Sequence, residues 1–246
     1  IHIRLSVTPI LYKTKERQVF KYLSGPLLVQ NILQQLSEAE IGNLPVLAAV
    51  KKAKVVAVYS PAGGVGKTTV AVGCSLQIAW EGQKVFYLNL EDLSSTGVFF
   101  KADSGGALAD ALYYLKEKKN PGLKIKALKA IDQQSKIHYF APNGSDLDLG
   151  EEAAEPLRGL INLLKNSGDY DYVVIDLSSQ LNTNNLAALE ASDTILLVMT
   201  PEPNCQEKVK LFITELSRWS ARQKSSLPER IYPLWNKWPA GLAGEE

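Results

Sequence analysis

Hydrophobic residues in this chain follow two patterns that take turns along its length. Short continuous apolar runs are typical of buried strands, whereas apolar residues three or four positions apart are typical of helices that bury one face. The continuous runs predict strands over 55–59, 85–90, 137–141, 172–176, 194–199 and 231–238. The spaced pattern predicts helices over 70–79, 105–118, 121–131, 151–167 and 206–223. Alternating strands and helices predict an α/β fold with a doubly wound, mostly parallel sheet.

The N-terminal part of the chain has a weaker pattern. Strands are predicted over 3–8 and 19–22, and Pro26 suits the first turn of a following helix. So few elements cannot bury a core alone. The chain therefore divides into an N-terminal segment, a linker and a main domain, over residues 1–42, 43–54 and 55–246.

Composition and charge are those of a soluble globular protein. Hydrophobic residues make up 46% of the 246 residues and charged residues 22%. A net charge of +1 argues against a surface committed to nucleic acid. Two cysteines, Cys74 and Cys205, make no disulfide framework, which fits a reducing cytoplasm. The sequence shows no signal-peptide pattern and no apolar run of membrane-spanning length. Because it begins at Ile1 rather than at a methionine, we expect it to be a fragment that is cut at one end or both, and we expect the ATPase domain to be truncated at its C-terminus.

The most informative stretch lies between the first strand and the first helix of the main domain and reads SPAGGVGKTT. A glycine-rich turn ending in Gly-Lys-Thr is typical of the phosphate-binding loop of an NTPase, since bare backbone amides can curl around phosphate oxygens. Lys67 can reach the β- and γ-phosphates, and the Thr68 hydroxyl can bind Mg²⁺. The alternative is an ordinary strand-to-helix turn. The residues predicted to hold the nucleotide here are Gly63, Gly64, Val65, Gly66, Lys67, Thr68 and Thr69.

A second chemical landmark is the apolar strand that ends at Asp176. A single aspartate at the end of such a strand is the Walker B pattern, which positions Mg²⁺ in P-loop NTPases. Many strands end in aspartate, so this signal gains its meaning from the phosphate-binding loop upstream. Together the two motifs predict a metal site formed by Thr68 and Asp176.

From about residue 53 to 238, the chain resembles the MinD/ParA-type ATPases. The resemblance rests on GGVGKTT at 63–69, on DYVVID at 171–176, and on ASDTILLV at 191–198. The loop departs from the family in two places. Pro61 replaces the first glycine of a strict Walker A motif, and Ala62 replaces the lysine that marks the deviant form of the family.

The resemblance implies roles for further residues. Glu91 stands where the family places the aspartate that orients the attacking water, so Lys67, Glu91 and Asp176 are the predicted catalytic residues. Asn236 resembles the asparagine that reads the adenine edge, although a turn residue at the end of a strand is the alternative. The segment 177–179, Leu-Ser-Ser, replaces the family's Thr-Pro-Pro.

Three further matches, LNLE at 88–91, Pro142 with LDL at 147–149, and NKW at 236–238, make the chain look most like one branch of the family, TadZ/CpaE. That branch localises a pilus-assembly machine and carries a receiver-like N-terminal domain. Residues 1–42 then correspond either to the end of that domain or to an extension packed on the ATPase. The resemblance implies ATP and Mg²⁺ as cofactors, a homodimer, protein partners of a pilus or cell-pole machine, and slow ATP hydrolysis. It also implies a cytoplasmic location, with a polar or peripheral-membrane position left open.

Three alternatives remain open at this point. The first is a scaffold that holds ATP without turnover, the second a related partitioning or septum-positioning ATPase, and the third a kinase that acts on a protein hydroxyl. The lysine-rich stretch 116–129 could touch DNA or anionic lipid, but solvated helix faces explain it more simply, and nucleic acid is not the expected partner. His2 and His138 lack the neighbours of a metal site.

Overall fold

The computed structural model describes residues 4–6, 18–20, 51–102, 104–117, 121–141 and 153–237. The chain forms two units, residues 1–49 and 50–246. In the N-terminal unit, strand β1 (Arg4–Ser6) pairs in parallel with β2 (Gln18–Phe20). The helix predicted after Pro26 lies outside the described residues.

A seven-stranded sheet organises the second unit. Its strands are β3 (Lys54–Tyr59), β4 (Val85–Asn89), β5 (Ala130–Ile131), β6 (His138–Tyr139), β7 (Tyr172–Asp176), β8 (Thr194–Met199) and β9 (Ile231–Trp235). They lie in the order β5-β6-β4-β7-β3-β8-β9, and every pair is parallel except β5 with β6. The predicted α/β fold with a mostly parallel sheet is confirmed.

The central strands are buried on both faces, as expected for a parallel sheet covered by helices. In β3, Val55, Ala57, Val58 and Tyr59 have no measurable exposure. Tyr59 packs its ring on Phe212, with 4.9 Å between centroids. The amphipathic pattern at 151–167 becomes a helix that buries Leu157, Leu160, Ile161 and Leu164. The continuous apolar runs therefore correspond to the sheet, and the spaced pattern corresponds to its covering helices.

Seven helices are found in the described part of the second unit. They are α1 (Lys67–Trp80), α2 (Thr96–Phe99), α3 (Leu108–Lys116), α4 (Pro121–Leu128), α5 (Ala154–Asn166), α6 (Thr183–Ala191) and α7 (Pro203–Gln223). Helices α2 and α6 were not predicted. The helix predicted over 121–131 was too long, because Ala130 and Ile131 leave it to pair with β6 as an antiparallel strand. Among the described residues, no helix combines the length and apolar character needed to cross a membrane.

The parallel arrangement brings several strand ends to one edge. Strands β3, β4, β7, β8 and β9 all run in the same direction, so their carboxyl ends lie side by side. Ligands of open α/β sheets bind at this edge. Strand β9 is the last in the described sheet and contains Pro233, a residue typical of edge strands because it has no N–H to donate.

Candidate functional site

The glycine-rich loop joins β3 to α1 at the carboxyl edge of the sheet. Gly64 and Gly66 have left-handed φ values of +70° and +95°. A Cβ on Gly66 would lie 2.4 Å from Asn236 Nδ2, so a larger residue there meets both backbone strain and a collision. A Cβ on Gly63 or Gly64 meets no protein atom within 4 Å, which leaves the space above those amides open. The loop thus has the open, amide-lined form of a phosphate cradle.

Asn236 and Lys237, which follow β9, contact the phosphate-binding loop. The Asn236 amide donates to the Val65 carbonyl at 2.8 Å, and its backbone amide donates to Met199 O at 2.8 Å. Lys237 Nζ donates to Gly64 O at 2.7 Å. The Asn236 side-chain oxygen accepts from the Lys237 backbone amide at 2.9 Å. Asn236 is thereby held against the loop, and beyond these two side-chain bonds its amide has one further N–H and one further oxygen lone pair.

Lys67, the first residue of α1, is almost fully buried, with 7% of its surface exposed. Its ammonium donates to Ser179 Oγ at 2.6 Å, and that hydroxyl donates to the Ala62 carbonyl at 3.0 Å. Burial lowers the pKa of Lys67, and the charges of Glu91 and Asp176 oppose that shift. The site therefore holds a desolvated cation beside the loop, where an anionic ligand would complete its surroundings.

Asp176 ends β7 and is fully buried. Tyr87 OH donates to its Oδ2 at 2.8 Å, and Asn89 lies 3.4 Å from the same oxygen. Burial raises the pKa of Asp176 to about 6, and the hydrogen bond from Tyr87 limits the rise. Within the described part of the chain, Oδ1 of this carboxylate has no hydrogen-bond partner. A buried carboxylate oxygen without a partner is the kind of ligand that Mg²⁺ takes.

Thr68 and Glu91 meet beside this carboxylate. Thr68 Oγ1 lies 3.5 Å from Glu91 Oε2, and the Glu91 amide is held by Asn89 Oδ1 at 2.8 Å. The donor set is therefore a hydroxyl and carboxylates, which are hard oxygen ligands suited to Mg²⁺. Thr68 and Asp176 would hold the ion, which would offset charge on the phosphates when bound.

Most residues predicted for the site lie together at this edge, and a few stand apart. Lys67, Thr68, Glu91 and Asp176 form one cluster, linked through hydrogen bonds and close charges. Val65 is buried within the loop, and Thr69 faces solvent on the first turn of α1. The Ala62 side chain is buried and uncharged, at the position where the resemblance expects a lysine.

Sequence reasoning missed the contacts of Tyr87, Ser179 and Lys237. A tyrosine inside a continuous apolar run is a signal for Tyr87, because a buried hydroxyl needs a partner. For Ser179, the available signal was the replacement of the family's proline in the segment after Asp176. Lys237 follows the asparagine that the resemblance assigned, but its reach to the loop depends on a tertiary contact.

The lysine-rich stretch has partners within the protein where it is described. Lys126 pairs with Asp169 at 2.7 Å, and Lys124 lies over the ring of Tyr114 at 4.3 Å. These contacts fit the simpler interpretation of helix faces packed at the surface. No group of three or more metal-binding side chains of the His, Cys, Asp and Glu types occurs among the described residues.

Comparison with known proteins identifies a family and several relatives of this chain. The family model of the AAA domain matches residues 53–228. The flagellum site-determining protein YlxH of Helicobacter pylori is 30% identical over 160 residues, which cover 61% of this chain and 49% of that protein. The chromosome partitioning protein ParA of Caulobacter vibrioides is 25% identical, with 72% and 66% covered. The chain thus spans about half to two thirds of the length of these relatives.

Solved structures share the fold. The MinC:MinD cell division complex of Aquifex aeolicus matches with a TM-score of 0.55 and 21% identity, covering 74% of this chain and 68% of that one. Cobyrinic acid a,c-diamide synthase of Mycobacterium smegmatis, solved with an ATP analogue and magnesium, matches with a TM-score of 0.58 and 20% identity over 74% of each chain. The family model, the relatives and the fold agree: the chain belongs to the AAA domain family, as a P-loop protein of the MinD/ParA type.

Proposed function

We propose that this chain binds ATP with Mg²⁺ and uses the nucleotide to control a localisation switch. The observation that carries the nucleotide site is a convergence at one sheet edge. There the left-handed Gly66, the buried ammonium of Lys67 and Asp176 lie at the same end of the sheet, and Oδ1 of Asp176 has no hydrogen-bond partner among the described residues. The loop amides and Lys67 bind the phosphates, Thr68 and Asp176 bind the metal, and Asn236 reads the adenine edge.

Calorimetry with Mg-ATP tests this assignment. Lys67→Ala is expected to weaken binding by about 100-fold, because two charge-assisted hydrogen bonds are worth about 3 kcal/mol together. Lys210→Ala, which removes an exposed lysine from α7, is the matched control and is expected to bind as the wild type does. Equal affinity in wild type and Lys67→Ala would contradict the assignment.

Hydrolysis is proposed to be slow. Glu91 and Asp176 remain to orient water and metal, but Ala62 supplies no cation to offset charge on the transferring phosphoryl group. The buried, uncharged Ala62 side chain also favours a second candidate function, in which ATP is a structural ligand of an interaction scaffold and is not hydrolysed. Phosphate release under saturating Mg-ATP distinguishes the two, since the scaffold releases none above background.

The proposed switch is a homodimer of the TadZ/CpaE type that serves pilus assembly. The residues Leu88–Glu91 and the pair Asn236–Lys237 support that branch. The relatives named for flagellum site determination and chromosome partitioning support a role in placing other assemblies, and the MinC:MinD complex supports a protein partner. Partitioning or septum positioning is the alternative within the family.

The same proposal places the protein in the cytoplasm, at a cell pole or on the inner face of the membrane. Residues 1–42 are proposed as the end of a receiver-like domain, with 43–54 as linker and 55–246 as the ATPase domain.

Light scattering with and without Mg-ATP tests the proposed homodimer. A monomer mass that stays unchanged at tens of micromolar protein would contradict it.

A further inference from the structure

Ser179 lies in the segment that follows Asp176 and reaches across to the phosphate-binding loop. Its hydroxyl accepts a hydrogen bond from Lys67 Nζ at 2.6 Å and donates one to Ala62 O at 3.0 Å. The residue is separated from Lys67 by 112 positions in the chain. Ser179 therefore joins the segment after the Walker B strand to both the lysine and the first half of the loop.

The backbone on either side of Ser179 is fixed. Leu177 N donates to Val58 O at 3.2 Å, which ties the segment to β3. The buried Asn185 of α6 donates to Ser178 Oγ at 2.9 Å and to Gln180 O at 2.7 Å. Because the flanking residues are held, the Ser179 hydroxyl is positioned in advance, whereas the hydroxyl of Ser178 is turned towards α6.

The position of Ser179 indicates which phosphate of a bound nucleotide its hydroxyl would contact. In a P-loop, backbone amides wrap the α- and β-phosphates, and the lysine contacts the β- and γ-phosphates. Ser179 is not part of the loop and meets the lysine from the segment that follows the metal-binding strand. The phosphate that this segment can reach is the one that the loop does not enclose, the γ-phosphate. An ammonium has three N–H donors, so the bond to Ser179 leaves two for phosphate oxygens.

We propose that the Ser179 hydroxyl contacts the terminal phosphate of ATP and sets a preference for ATP over ADP. The inference rests on the proposed nucleotide site and adds to it a residue that distinguishes the two nucleotides. The hydroxyl can donate to a γ-phosphate oxygen in place of Ala62 O, while Lys67 binds both nucleotides. ADP lacks the γ-phosphate, so Ser179 contributes to ATP binding alone.

Calorimetry with AMPPNP and with ADP, both with Mg²⁺, tests the proposal on the whole chain. Ser179→Ala is expected to weaken AMPPNP binding about 10-fold, equivalent to about 1.4 kcal/mol, and to change ADP binding less than 2-fold. Ser179→Thr keeps the hydroxyl and is expected to restore the preference. Ser217→Ala removes an exposed hydroxyl from α7, outside the nucleotide site, and is expected to leave the ratio of the two affinities unchanged.

Each outcome bears on the proposal. A loss of equal size for AMPPNP and ADP would show that Ser179 only supports Lys67, and would overturn the inference; no loss for either would do the same. Thermal unfolding of Ser179→Ala in the absence of nucleotide confirms that the variant is folded. If the wild type binds neither nucleotide, the proposed function fails and this inference fails with it, whereas ADP binding without discrimination leaves the nucleotide site intact.

Discussion

Asp176 is expected to lower the stability of the metal-free protein at neutral pH, and Asp176→Asn is expected to remove that effect. The carboxylate is fully buried, and one of its oxygens has no hydrogen-bond partner among the described residues. Burial raises its pKa from the ordinary 3.8 to about 6, even though Tyr87 donates to it. Ionising this group inside the fold is therefore harder than ionising it in the unfolded chain.

The sign and size of the effect follow from the two pKa values. Between pH 4 and 6, the folded protein holds more protons than the unfolded chain, so the free energy of unfolding falls as the pH rises through this window. The full cost is about 3 kcal/mol above pH 7, at 1.36 kcal/mol for each pKa unit. About 2 kcal/mol of it develops between pH 4.5 and 7.5.

Thermal unfolding of wild type and Asp176→Asn, in EDTA at pH 4.5 and pH 7.5, measures the effect. An asparagine cannot ionise, so its Tm relative to wild type is expected to rise by about 4–8 °C between the two pH values. The comparison between pH values cancels any fixed cost of burying the new amide. It also cancels other titrating groups that the two proteins share.

Asp132 provides a control of opposite sign. Burial alone would raise its pKa, but amides of Lys101 and Ser135 and the Ser135 hydroxyl bind the carboxylate and lower it. Asp132→Asn is therefore expected to lose stability at pH 7.5 and to lose less at low pH. A Tm difference for Asp176→Asn that does not change with pH would refute the assignment of Asp176 as a buried, costly charge.

Three further outcomes are expected. Gly66→Ala should lower Tm by about 2–8 °C and weaken nucleotide binding, because φ at Gly66 is +95° and the new Cβ would collide with Asn236. Gly73→Ala, on the open face of α1, is the control and should leave Tm unchanged or raise it. Ala62→Lys should speed phosphate release from a wild-type rate well below about 1 s⁻¹, with Ala62→Gln as the uncharged control. Burial lowers the pKa of His138 to about 4, so stability should fall as the pH drops from 6.5 towards 4, and His138→Gln should flatten that acid limb in thermal unfolding.

The parts of the site that sequence predicted are those encoded by adjacent residues. The glycine spacing of the loop, its place between a strand and a helix, and the aspartate after an apolar run are all local patterns. Their meeting at one edge followed from the parallel sheet. These features need no knowledge of which strands are neighbours.

The contacts that sequence missed depend on strand order. Tyr87 reaches Asp176 because β4 lies beside β7, with Asn89 opposite Asp176 in register. That pairing joins residues 89 positions apart, and nothing in the periodicity of either strand reveals it. Strand β5 was missed for a related reason: Ala130 and Ile131 extend a helical pattern, and pairing with β6 overrides it. Helix α6 did carry a local signal, since Asn182 caps it by accepting from the Asn185 amide.

Two buried charges, on Lys67 and Asp176, lie where a bound nucleotide and metal ion would neutralise them. Lys67 is a buried cation whose pKa is lowered by burial, and Asp176 is a buried carboxylate whose pKa is raised by it. Direct pairing would relieve both, yet Lys67 binds Ser179 and Asp176 binds Tyr87. A phosphate beside the first and a divalent cation beside the second would neutralise each charge separately. Stability given up at this edge in the free protein is therefore available as binding energy, which is the pattern expected when selection acts on binding rather than on the free fold.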